Sequence, residues 1–277
     1  MAQCLLFTRI SFESYFLQVC FVIFRNHKIR NMNSRYLIIF LLSILASSAI
    51  YTQEITDPKV TEVWEPEPRV VTAGITNDQP PSDAIVLLEA NSGLQWTHYD
   101  GSPNQWTVEE GIMTCKPGTG TIKTKEKFGD CQLHIEWSTP FEPNKEGQGK
   151  GNSGIFFQNK YEIQILNSYK NRTYSNGQAG AIYKQSPPLV NATRQSMEWN
   201  AYDIIFHAPK FDTDGKMTKK GTMTAFHNGV LIQDHVEIEG TTEYIGPPKV
   251  IAHGDESLVI QDHDNFVRYK NIWLRRL

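Results

Sequence analysis

Three short segments place acid–base side chains at alternate positions. In Tyr161–Ile165 (YEIQI), Glu162 and Gln164 share one side while Tyr161, Ile163 and Ile165 take the other, because successive strand side chains point to opposite faces. In Gln132–Trp137 (QLHIEW), His134 and Glu136 oppose Leu133, Ile135 and Trp137; in Val259–His263 (VIQDH), Gln261 and His263 share a face. Such polar faces normally carry Lys, Thr and Ser in contact with water. Here they carry His, Glu and Gln, a bias that reads as a lined groove. Glu162 is the first candidate for general acid or base. His263 is the second, since an imidazole titrates near neutral pH. The i, i+2 pair His134 and Glu136 suits a shared site or two ligands of a divalent ion. The plainer reading of each is a solvated strand face, because Glu is mostly exposed in folded proteins.

Neighbouring motifs are weighed the same way. Asp262 points away from His263 and is expected to be structural, pairing with Arg268. A second Gln-Asp-His run, Gln233–His235, is the structural copy of the two, because the later one lies in the more distinctive text. The glycine-rich stretch Glu146–Gly151 lacks the lysine-serine pair and following helix of a phosphate loop, and reads as a sharp rim loop that presents Asn152. Tyr183 and Lys184 (GAIYKQ) are further rim candidates. No HExxH, paired Cys/His zinc spacing or complete EF-hand is present, and no Gly-x-Ser-x-Gly elbow. A divalent metal held by scattered strand residues stays open.

These side chains need strands to hold them. From Asp83 onward short alternating or β-branched runs recur between Gly, Pro, Asn and Asp: AIVLLE, WTVEEGIMTC, TIKTK, CQLHIEW, GIFFQ, YEIQIL, AYDIIFHA, TMTAFHNG, VLIQDHVEIE, SLVIQDH and FVRYKNIWLRRL. None keeps a 3.6 period for three turns, so an all-β sandwich or barrel is expected and a parallel α/β sheet is not. Asn228–Gly229 predicts a type I′ hairpin, and Asp212–Lys220 another polar turn.

Residues 50–82 hold five prolines and read as an extended lead-in, with Trp64 tacked onto the body. Ahead of it, Tyr36–Ile50 (YLIIFLLSILASSAI) follows Arg30 and Arg35 and ends in small residues, the pattern of a secretory signal peptide. The run is too short and too polar at its far end for a stable membrane span. Met32 is the expected start, and residues 1–49 are read as extension plus leader. Export to the periplasm or medium follows as the expectation.

Composition agrees. The 277 residues are 40% hydrophobic, with 27 Lys+Arg against 30 Asp+Glu. Residues 1–49 carry five basic side chains and one acid, which leaves 22 and 29 in residues 50–277, a net of −7. A body that acidic, without a basic run, excludes nucleic acid as the expected partner. Beyond the leader only Cys115 and Cys131 remain, on segments that could face each other. One bridge and two buried thiols are both open readings.

The runs WTVEEGIMTCKPGTGTIKTKEKFGDCQLHIEW, GNSGIFFQNKYEIQILNS, GQAGAIYKQSPPLVNA, EWNAYDIIFHAPKFD, HNGVLIQDHVEIEG and LVIQDHDNFVRYKNIWLRRL occur in order and resemble the 3-keto-disaccharide hydrolase domain family over residues 83–277. Cys131, where aromatic or apolar residues are usual, and Asp264, where Gly is frequent, depart from its pattern. The resemblance implies a concanavalin-like jelly roll of two antiparallel sheets, with carbohydrate as partner. It also implies a reaction. A ketone at C3 of the sugar acidifies the C2 hydrogen, a base removes it, the C1 oxygen leaves, and water adds to the enone. That route needs a base at C2 and donors at the ketone and leaving oxygens. On this reading Glu162, His263 and Glu136 are the catalytic candidates, and Gln164, His134, Asn152, Lys184, Gln261 and Arg268 contact substrate. Among the tryptophans, Trp96, Trp106, Trp137, Trp199 and Trp273 compete for sugar stacking, most of them as core. The alternatives are a conventional glucanase-like glycosidase and a non-catalytic carbohydrate-binding module.

Overall fold

A computed structural model describes residues 56–76, 78–88 and 95–277. The leader assigned to residues 36–50 lies outside them. The chain divides into two compact units, 1–68 and 69–277. In the first, Asp57 caps a 3₁₀ turn, Pro58–Thr61. Within this unit Trp64 Nε1 donates to Glu62 Oε2 at 3.2 Å.

Among its described residues the second unit carries fifteen strands and no α-helix: β1 (Ile85–Leu88), β2 (Trp96–His98), β3 (Thr107–Glu109), β4 (Ile112–Thr114), β5 (Ile122–Phe128), β6 (Cys131–Ser138), β7 (Ser153–Phe157), β8 (Tyr161–Ile165), β9 (Asn200–His207), β10 (Lys210–Phe211), β11 (Met217–Lys219), β12 (Gly221–His227), β13 (Val230–Ile238), β14 (Glu256–Ile260) and β15 (Arg268–Arg276). They form an eight-stranded sheet in the order β13-β12-β9-β6-β15-β4-β3, with β1 beside β15. A five-stranded sheet runs β2-β5-β14-β7-β8, and β10 and β11 make a separate hairpin. Every pairing is antiparallel. This is the all-β sandwich that the strand-dense text predicts, in the two-sheet jelly-roll form that the family resemblance implies.

Alternation builds the core. Leu133, Ile135 and Trp137 of the larger sheet and Ile155, Phe157, Tyr161, Ile163 and Ile165 of the smaller one are buried in a single apolar cluster. Each strand therefore sends its intervening residues to an outer face. The Asn228–Gly229 turn has positive φ at both residues (52° and 78°) and joins β12 to β13 with His227 opposite Val230, as a type I′ hairpin requires. Asp212 closes the β10–β11 turn by accepting from the backbone N–H groups of Asp214 and Lys216. Cys115 and Cys131 are both buried free thiols, so no bridge joins them.

Candidate active site

Two strand pairs decide where the polar side chains go. On β7 and β8, Phe156 lies opposite Glu162 and Gly154 opposite Gln164. All four belong to the face of the five-stranded sheet turned away from the core. The edge of β8 is not left open. Gln164 N–H donates to Ala181 O at 2.9 Å, Gly180 N–H to Gln164 O at 2.9 Å, and Tyr183 N–H to Glu162 O at 3.1 Å. Residues 180–183 thus extend the sheet and bring Tyr183 and Lys184 over the carboxylate. Gln233 of β13 ties that segment down by donating to Gly180 O at 2.9 Å. The earlier Gln-Asp-His run is structural, as expected, and its structural task is to hold this wall of the site. Thr242 closes the same edge further along, its Oγ1 accepting from Glu162 N–H at 3.0 Å.

The result is a cleft of about 580 Å³ lined by Gln148, Asn152, Phe156, Glu162, Gln164, Tyr174, Tyr183, Lys184, Thr242, Tyr244, Gln261 and His263. Of the residues singled out from sequence, Glu162, Gln164, Asn152, Tyr183, Lys184, Gln261 and His263 meet here. Gln261 and His263 do so from the loop that follows β14, which ends at Ile260, and not from a strand face. His263 is exposed at the mouth.

Glu162 is only 4% exposed, so it is not the solvated carboxylate of the plainer reading. Burial pushes its pKa up to about 8, since moving a charge out of water disfavours the ionised form. The close approach of Gly154 makes room for it. A Cβ on Gly154 would fall 2.3 Å from Glu162 Oε1. The Gln164 amide mediates between neighbours. In one orientation it donates to Gln148 Oε1 at 2.9 Å; turned over, it donates to Glu162 Oε1 at 3.1 Å and Ser153 O at 2.8 Å. Asn152 is fixed through its amide N–H to Gln148 O at 2.7 Å, which leaves its Oδ1 for a ligand. The Tyr174 and Tyr183 hydroxyls bond each other at 2.6 Å. Lys184 Nζ donates to Tyr244 O and lies 4.4 Å from the Tyr244 ring centroid, so one ammonium and three tyrosines crown the pocket.

Three candidates are placed elsewhere. His134 and Glu136 on β6 and Arg268 on β15 sit on the outer face of the eight-stranded sheet, across the core from the cleft. His134 stacks on Trp273 with centroids 5.2 Å apart and holds Asp203 at 2.7 Å. Asn271 donates to Glu136 at 2.9 Å and to Asp78 O at 2.8 Å, and Trp273 Nε1 also reaches Asp78 O. Asn271 and Trp273, which the pair holds, thus fasten Asp78 near the end of the lead-in to the sheet. Burial lowers the His134 pKa, but hydrogen bonds to Asp203 and Glu136 outweigh it and hold it at about 9. Burial raises that of Glu136, yet His134, Asn271 and Lys270 bring it to about 2. Arg268 packs 5.3 Å from the Trp199 ring and donates to Ser138 Oγ. It does not meet Asp262, which accepts from Gly120 N–H at 2.9 Å and Asp264 N–H at 3.0 Å. Alternation assigns a residue to an outer face without saying which sheet that face belongs to.

The remaining lining was not found from sequence. Gln148 sits in the glycine-rich rim, Phe156 alternates with core residues as Glu162 does, and Tyr174, Thr242 and Tyr244 lie in loops without periodicity. No tryptophan lines the cleft; its aromatic surface is Tyr and Phe. Among the described residues no three His, Cys, Asp or Glu side chains converge as metal ligands. In the cleft lining Glu162 and His263 are the residues of that kind. Also among the described residues, no helix is long and apolar enough to cross a membrane.

Comparison with known proteins places this geometry. Residues 83–275 match the 3-keto-alpha-glucoside-1,2-lyase-like domain. A solved structure from Parabacteroides distasonis ATCC 8503, described as a candidate glycosyl hydrolase, is 44% identical, covering 80% of this chain and 97% of that one with a TM-score of 0.76. A second candidate glycosyl hydrolase of the same organism shares the fold at 18% identity and TM-score 0.51, covering 70% of this chain and 94% of its own. The curated proteins contain no match. A jelly roll whose outer sheet face buries one carboxyl under a tyrosine-lined cleft, matched over nearly all of its folded body, belongs to the 3-keto-alpha-glucoside-1,2-lyase-like domain family, a carbohydrate-active family of glycosidic-bond-cleaving enzymes.

Proposed function

We propose that the protein is an exported enzyme that cleaves 3-keto-glycosides by elimination and hydration, with Glu162 as the proton carrier. The observation that carries this reading is the single carboxyl of the cleft. Retaining and inverting glycosidases set two carboxyl groups across the scissile bond. Here the cleft lining contains Glu162 and no second Asp or Glu. One carboxyl suffices for the keto route. Ionised Glu162 takes the C2 proton, and the electron pair becomes an enolate toward the C3 oxygen. The C1–O bond then breaks, and the departing oxygen receives the proton back from Glu162. In the second half Glu162 takes a proton from water, the hydroxide adds to C1 of the enone, and C2 is reprotonated. The sum is hydrolysis, and the carboxylate ends as it began. His263 at the mouth is placed to donate to the ketone oxygen as negative charge builds there. Asn152 and Gln164 offer hydrogen bonds to ring hydroxyls. Export rests on the apolar run Tyr36–Ile50 behind Arg30 and Arg35.

Incubation with a 3-keto-disaccharide and with its unoxidised parent tests the proposal. Release of free sugar from the keto form alone is the expected result. Cleavage of the parent would point to conventional glycosidase chemistry, and tight binding without release from either to a binding module.

A further inference from the structure

The cleft does not end at Phe156. A second hollow of about 170 Å³, lined by Tyr99, Thr121, Phe156, Asn159, Val259 and Gln261, shares Phe156 and Gln261 with the main one. A third, of about 330 Å³, shares Tyr99 and Thr121 with the second and continues to His98 and Ser102. The sheet register explains why these hollows line up. Glu162 pairs with Phe156, Phe156 with Val259, Val259 with Lys123 and Lys123 with Thr97. Directly paired residues point to the same face, so this row crosses all five strands on the outer side. From Glu162 to Val259 is two strand spacings, about 10 Å, and Tyr99 stands beyond. That is further than one pyranose ring reaches from the reacting C2.

From this continuity, and resting on the function proposed above, we infer that the trough from Phe156 to Tyr99 is a binding site for the further sugar residues of a neutral oligosaccharide whose keto-ring occupies the Glu162 cleft. Tyr99 is built as a platform for such a ligand. Its ring is 48% exposed although it is large and aromatic. It is held in place: the hydroxyl donates to Asn159 Oδ1, and Lys123 Nζ lies 5.3 Å from the ring centroid while donating to Tyr99 O at 3.1 Å. A braced, half-exposed ring loses little freedom when a sugar face stacks on it. Val259 beside it is fully buried yet outside the core cluster, so it packs beneath the side chains that line the trough and supports them. Asn159, in the β7–β8 turn, and Gln261, shared by both hollows, supply the polar edge.

The test uses Tyr99→Ala, which removes the half-exposed ring, and Tyr99→Phe, which keeps it. With 3-keto-glucosides of one, two and three further sugars, wild-type kcat/KM should rise with length. Tyr99→Ala should lose about three- to tenfold on the longer substrates, show no loss on the shortest, and be largely rescued in Tyr99→Phe. Equal losses at every length, or none, would overturn the trough. Affinity for unoxidised oligosaccharides of increasing length, measured by calorimetry on the same proteins, separates this from failure of the keto chemistry. A length-dependent affinity lost in Tyr99→Ala supports the trough even if no keto-sugar is turned over. Affinity that does not depend on length, or no binding at all, refutes it.

Discussion

Replacing Glu162 by Gln should slow the enzyme and stabilise the protein, and the stabilisation should grow with pH. Burial places the folded-state pKa of Glu162 at about 8, against 4.5 for the free side chain. The folded protein therefore keeps a proton that the unfolded chain has already released. Stability from this group is fully present below pH 4.5, declines as pH rises, and is lost above about 8. The rise from 4.5 to about 8 corresponds to about 5 kcal/mol across that window. Gln fills the same space without titrating, so it escapes the loss. For a domain of this size about 1 kcal/mol moves Tm by 2–4 °C. The melting temperature of Glu162→Gln relative to wild type should rise by on the order of 10 °C between pH 5 and pH 9, measured by calorimetry. Activity should move the other way in wild type. If the ionised carboxylate is the base, kcat/KM rises with pH and levels off near 8, and Glu162→Gln loses about 10²- to 10⁴-fold. Glu237→Gln, an exposed carboxylate outside the cleft, serves as control for both measurements. Parallel Tm–pH curves for wild type and Glu162→Gln would refute the buried-carboxyl argument. Near-wild-type turnover by Glu162→Gln would refute its role as base.

The same geometry fixes four further outcomes. Gly154→Ala should lose activity, because the added Cβ would fall 2.3–3.0 Å from Oε1, Cδ and Cγ of Glu162 and displace the carboxyl; circular dichroism alongside turnover separates this from misfolding. Gln233→Ala frees residues 180–183 from β13, so KM for the keto-sugar should rise and hydrogen exchange at Ala181 and Tyr183 should speed up. His134→Ala removes a buried imidazole bonded to the half-exposed Asp203 on the far sheet and should destabilise by about 1–3 kcal/mol in denaturant titration, with kcat/KM per folded molecule unchanged. Burial raises the pKa of Cys115 and holds Cys131 at about 12, so neither thiol should react with an aromatic disulfide reagent at pH 8 until the protein is unfolded.

Much of the fold is local and was readable as text. Alternation in CQLHIEW and YEIQI marks strands and their buried sides, because a period of 2 is a property of the extended backbone itself. Asn228–Gly229 specifies its hairpin because both residues tolerate positive φ. The charge of the folded body and its lack of helical periodicity are also properties of the chain alone. Glu162 and Gln164 were recognisable as an unusual outward pair for the same reason. What alternation does not contain is the identity of the sheet that each outer face belongs to. His134–Glu136 and Glu162–Gln164 look alike in sequence, two polar residues two positions apart between core residues. Strand order sends one pair beneath the lead-in and the other beneath a loop. The perturbed acidity of Glu162 is likewise tertiary. It arises from Gly154 on the adjacent strand, residues 180–183 along the edge, and Thr242 from a distant loop, which together remove water from one carboxyl. The sequence by itself determined which residues could face outward; only the packing of the two sheets and the loops over them decided which outward face excludes water and can do chemistry.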